Sequence, residues 1–101
     1  VSETAREAGI TFPTAMTSAA WARCVSVPEG VVGQDEPGRL WDVLWMLCCE
    51  IRRGGEARSV VVFPFYLRND NGPPRPTNLK SVCGPGDAGE PVITIMERDE
   101  D

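Results

Sequence analysis

The stretch from Gly38 to Arg53 constrains this chain more than any other. Leu40, Val43, Leu44, Leu47 and Ile51 recur at helical spacing, with Trp41, Trp45 and Cys48 on the adjoining flank. At about 100° per residue these positions cover an arc of roughly 200°, twice that of an ordinary surface helix. Charge enters only at Arg39, Asp42, Glu50, Arg52 and Arg53. A helix this apolar must be covered on most sides, by a sheet plus a second helix or by another chain. Arg52 and Arg53 suit its C-terminal dipole, and Gly54 and Gly55 provide a stop.

The rest of the chain supplies the cover. Pro13 holds Phe12 extended, and Thr17 or Ser18 can cap a short helix over Ser18–Val25. Its apolar positions are Trp21, Ala22, Cys24 and Val25, and Pro28-Glu29-Gly30 ends it. Alternation of apolar residues then predicts three strands, over Arg58–Arg68, Thr77–Cys83 and Pro91–Met96. Pro64 cannot donate to a ladder, so the first of these belongs at a sheet edge or carries a bulge. Helices followed by strands imply an α+β fold: one short and one long helix packed on one face of a three-stranded antiparallel meander. Val1–Gly9 reads as a flexible arm and Glu97–Asp101 as a solvated acidic tail, so residues 1–101 form a single domain.

Composition excludes several functions. The 101 residues carry 15 acids against 10 bases, a net charge of −5, which argues against phosphate-tracking nucleic-acid binding. There is no histidine, so Ser-His and Cys-His nucleophile pairs are absent. The four cysteines, Cys24, Cys48, Cys49 and Cys83, contain no Cys-x-x-Cys pair, which argues against zinc. They read as reduced thiols, several of them buried, and no cofactor is expected. No apolar run reaches the roughly 18–20 residues that span a bilayer. Val1–Gly9 lacks the build of a secretory signal, so the expected location is cytoplasmic.

Two groups of residues are candidates for function. Asp35 and Glu36 precede the long helix, and Asp87 and Glu90 lie in the Gly84–Glu90 loop. Brought together, these four carboxylates could hold a divalent metal for hydrolysis or group transfer; apart, they are a helix cap and a hairpin turn. Asp87 and Glu90 could also meet a basic partner. Trp41 and Trp45, one helical turn apart, with Trp21 elsewhere, suit either a core or a recognition surface. The width of the apolar arc also admits a homodimer through that flank. An acidic surface can imitate DNA, although the basic residues interspersed here weaken that reading.

Two segments carry a resemblance. Gln34-Asp35-Glu36 with Gly38-Arg39-Leu40-Trp41-Asp42-Val43-Leu44-Trp45-Met46, and Leu79-Lys80 through Val82-Cys83-Gly84-Pro85-Gly86-Asp87 to Gly89-Glu90-Pro91-Val92-Ile93-Thr94-Ile95-Met96, resemble the signature segments of a domain family of unknown function. That family is scattered through bacteria, notably on plasmids and phages. Val1–Gly9 also resembles it, at a point where the family carries further upstream residues, so the chain reads as a short-start member. The resemblance implies no activity, only a setting on mobile genetic elements. Together with the residues, it implies a non-enzymatic module that contacts a host or element-encoded protein in an accessory or counter-defence role. The alternative is the metal-dependent hydrolase or transferase built on the acidic loops.

Overall fold

The computed structural model describes residues 1–54 and 59–100. Their elements are α1 (Ser2–Ala8), β1 (Thr14–Met16), α2 (Ser18–Cys24), α3 (Glu36–Gly54), β2 (Val60–Leu67), β3 (Arg75–Pro85) and β4 (Pro91–Glu97). The fold is α+β, with a four-stranded mixed sheet in the order β1-β4-β3-β2. The expected antiparallel meander is present as β2, β3 and β4. Two further elements correct the expectation: a third helix and a fourth strand, both from the N-terminal residues.

Val1–Gly9 is not a flexible arm. Helix α1 buries Ala5 and Ala8 against the core. Their methyl groups are too small to produce a clear periodic signal, yet small residues let α1 approach α3 closely. Gly9 closes the helix at φ 108°, a conformation that glycine adopts without steric cost. Its N–H donates to Arg6 O, and the Ile10 N–H donates to Ala5 O, the paired bonds of a Schellman stop. Ser2 ties the start of α1 to β1: its Oγ accepts from Thr14 N at 2.8 Å and donates to Thr14 O at 3.1 Å. β1 then runs parallel to β4, with Thr14 opposite Ile93 and Met16 opposite Ile95. Three residues are too few to show alternation, so pairing with β4, not local pattern, makes this strand.

α2 and α3 follow their expected limits closely. The Thr17 hydroxyl caps α2 by accepting from Ala20 N at 3.2 Å. Asp35 caps α3 by accepting from Gly38 N at 2.6 Å. The continuation of the expected stop, at Gly55, lies outside the described residues. Val43, Leu44 and Leu47 of α3 meet Val61, Phe63 and Phe65 of β2, Leu79 of β3, and Ile93 and Ile95 of β4 in one core. These are the inward positions of each strand, so the helices share one face of the sheet and the other is open. Val60, Val62 and Tyr66 stand exposed on the open face.

Pro64 fits its place for a definite reason. β2 is an edge strand, and Cys83 N donates to Ser59 O at 2.7 Å. With Pro64 opposite Asn78, alternation along the ladder puts residue 64 at a non-hydrogen-bonded pair. The missing N–H would have pointed to solvent, so no ladder bond is lost and no bulge is needed.

The C-terminal residues are also more ordered than a solvated tail. Glu97 is the last residue of β4, and Glu100 folds back. Its Oε1 accepts from Thr17 Oγ1 at 2.8 Å and from Glu97 N at 2.9 Å, and its carbonyl accepts from Lys80. Asp101 lies outside the described residues. No helix among the described residues is long and apolar enough to cross a membrane.

Candidate functional site

The wide apolar arc of α3 is only partly covered. Its Val43–Leu44–Leu47–Cys48 side is buried by the sheet and α1, and the Trp41–Trp45 flank is left open. The two indoles stack on each other with centroids 6.2 Å apart and planes 14° from parallel. They remain 37% and 45% exposed. Large aromatics in a small domain normally fill its core, whereas these two stack side by side on the surface and leave an apolar flank that the fold does not cover.

A groove leads away from Trp41 where the three helices meet. Its walls include Thr4 and Glu7 of α1, Trp21 of α2, and Glu36, Leu40 and Trp41 of α3. Both of the charged residues lining it are carboxylates. Nearby, burial first, and then the negative charge of Asp35, raise the Asp42 carboxyl above its ordinary range. Two indole faces beside two carboxylates attract a cation by quadrupole and by charge. Sequence spacing places Trp41 beside Trp45 but cannot bring Glu7 and Trp21 to them, because where α1 and α2 rest against α3 is decided by packing.

The acidic loops do not converge. Asp35 is the α3 cap, and Glu36 opens the helix's first turn. Gln34 in the same loop accepts from Arg39 Nε at 3.1 Å, and the Arg39 guanidinium also bonds Asn69, just past the end of β2. β3 starts beside that end and runs eleven residues to Pro85, before Asp87 and Glu90. At ~3.3 Å per residue that strand separates the loops by some 30 Å. Glu90 is occupied locally: its Oε2 accepts from Ala88 N at 3.0 Å, and any side chain at Gly86 would collide with it. Asp87 is exposed, and neither residue lines the groove beside Trp41. Among the described residues no group of three or more His, Cys, Asp or Glu side chains could hold a metal ion. The geometry therefore gives the hydrolase or transferase reading no shared centre.

Arg39 departs most from its sequence reading. It is one of the few charged residues on the helix, yet it is only 3% exposed. Its Nη1 donates to Ser26 O at 3.0 Å and Asn69 Oδ1 at 2.8 Å, and its Nη2 donates to Arg68 O. No ion pair reaches it among the described residues. Around it, Arg68 Nη1 donates to Val32 O at 2.6 Å and Asn71 Nδ2 to Gly30 O at 3.0 Å. These bonds sew the α2–α3 loop to the β2–β3 loop and so fix the start of α3, from which Trp41 projects. Cysteine chemistry is not prominent. All four thiols are free, and burial, the largest influence, pushes the Cys24 thiol up and away from the reactive thiolate.

Comparison with known proteins found no matching family model, no matching curated protein and no matching solved structure.

Proposed function

We propose that this chain is a non-enzymatic binding module that takes a basic segment of a partner protein against the Trp41–Trp45 flank of α3. The stacked, half-exposed indole pair at the mouth of a groove carrying Glu7 and Glu36 carries this reading. Arginine or lysine laid on an indole face gains about 0.5–2 kcal/mol, and a neighbouring carboxylate adds charge and geometry. A homodimer through the same flank is less well served, because it would bring one acidic rim against another in a chain of net charge −5. The resemblance of the Gln34–Met46 and Leu79–Met96 segments to a family found on plasmids and phages supplies the setting. There, an accessory or counter-defence protein acts by occupying a host factor.

Panning a random peptide library against the full chain tests this proposal, with the Trp41→Ala/Trp45→Ala double variant as comparison. Both side chains are half exposed, so the variant should keep the native melting curve. The expected result is enrichment of Arg- and Lys-bearing peptides on the wild type that the double variant fails to retain. Equal enrichment on both proteins, or enrichment of acidic peptides, overturns the proposal.

A further inference from the structure

A cavity of about 170 Å³ lies at the other end of α3, between that helix, the inward face of the sheet and the residues that follow α1. It shares no lining residue with the groove beside Trp41, and the inference drawn from it is independent of the proposed partner contact. Ile10, Phe12, Val61 and Ile93 give it apolar walls.

Two polar groups face this space without partners among the described residues. Ser81 is 4% exposed, on the inward side of β3 between Leu79 and Cys83. The other buried polar residues, Thr14 and Arg39, are hydrogen-bonded through their side chains, whereas the Ser81 hydroxyl bonds to none of the described residues. Buried hydroxyls ordinarily find a partner. No fully enclosed side-chain nitrogen or oxygen among the described residues lacks one, so the Ser81 oxygen must look into open space, and the space it borders is this cavity.

Arg52 is the second group. It is exposed and lines the cavity, and it makes no ion pair with the described residues, whereas its neighbour Arg53 pairs with Glu50. Gly9 makes room for it: a Cβ there would stand 3.0 Å from Arg52 Nη2 and 3.3 Å from Cys48 Sγ. Among the described residues no carboxylate lines the cavity to neutralise the guanidinium. Apolar walls, one cation at the rim and one hydroxyl, both without a partner among the described residues, define the occupant chemically. Its body must be apolar, and its head must be an anion able to accept hydrogen bonds. An apolar cavity of about 150 Å³ is known to take a benzene ring, so the size suits a single ring or a short branched chain.

We propose that this cavity is a ligand site for a small monocarboxylate with an aromatic or branched aliphatic body, its carboxylate held by Arg52 and Ser81. The test is titration of the ¹⁵N-labelled full chain with benzoate, with benzyl alcohol as the uncharged probe of the same shape. Saturable amide shifts should gather at Ile10, Thr11, Ser81 and Ile93. Arg52→Gln, at an exposed position, should fold normally and bind benzoate roughly tenfold more weakly, as loss of a charge-assisted bond implies. Ser81→Ala removes a hydroxyl that bonds to none of the described residues and should weaken benzoate binding more than benzyl alcohol binding, since the bond to a carboxylate is charge-assisted. Shifts that do not saturate in the millimolar range overturn the proposal. So does equal affinity for acid and alcohol, or benzoate binding indifferent to Arg52→Gln.

Discussion

Arg39→Met removes a buried guanidinium while keeping much of its aliphatic stem. The native group makes four hydrogen bonds, to Gln34, Ser26, Asn69 and Arg68. The side-chain amides of Gln34 and Asn69 can turn toward water when it is gone. The carbonyls of Ser26 and Arg68 are part-buried and fixed in the backbone, and an acceptor left unpaired there costs up to about 1–3 kcal/mol. Against this, methionine spares the desolvation of a charge that has no counter-ion among the described residues, which offsets part of the loss. The net expectation is a destabilisation of about 2–4 kcal/mol, a large share of the total stability of a domain this size. With a urea slope of ~1.5 kcal/mol per molar, the unfolding midpoint should fall by some 1–3 M. Urea titration followed by tryptophan fluorescence and far-UV circular dichroism together measures it. Hydrogen exchange should also accelerate in the Gly30–Gln34 and Arg68–Gly72 loops, which lose their shared anchor. Arg39→Lys should lie between wild type and Arg39→Met, because one ammonium cannot span acceptors set for a planar fork. A loss below about 1 kcal/mol for Arg39→Met would refute the reasoning, since changes that small are typical of surface positions.

Gly9→Ala should lower stability by about 1–3 kcal/mol, because it places a side chain at φ 108° and against Arg52 and Cys48; a melting point equal to wild type would show that α1 docks elsewhere. Glu100 is held below its ordinary value of 4.5, chiefly by the Glu97 N–H, then by the Thr17 hydroxyl and the Lys80 charge, with desolvation opposing. Its contribution is therefore complete above the ordinary glutamate range and is lost as pH falls through the lowered folded value. The gap between wild type and Glu100→Gln in thermal midpoint should be constant near neutrality and close as pH falls below the ordinary glutamate value of 4.5; a gap that widens in acid would contradict the assigned contacts. Pro64→Thr should leave monomer stability within about 1 kcal/mol while restoring a free N–H on the β2 edge, so light scattering should report more self-association than wild type.

Much of the fold was legible locally. The apolar spacing of α3 is long enough to exclude any other structure, and the alternation in β2, β3 and β4 places Val61, Phe63, Leu79, Ile93 and Ile95 on one side. Pro64 pointed to a sheet edge or a bulge, because a missing donor is tolerated at either, and the sheet order decides for the edge. The N-terminal elements were not legible. α1 buries two alanines whose burial depends on how closely α3 comes, and β1 has three residues whose partner lies some eighty positions away. Neither leaves a periodic trace, because neither is stable without its tertiary neighbour.

The candidate site divides along the same line. The sequence alone determines that Trp41 and Trp45 share a helical flank, because 3.6 residues per turn fixes their spacing whatever surrounds them. It also determines that none of these 101 residues is a histidine able to act as a general base. Only the tertiary structure decides that this flank is left bare while Arg39 is buried, since exposure depends on where the sheet and α1 come to rest. It likewise separates Asp35 and Glu36 from Asp87 and Glu90 by the length of β3, and brings Arg52 and Ser81 to one cavity. Chain-local geometry sets which side chains share a face; packing of distant segments sets what that face meets.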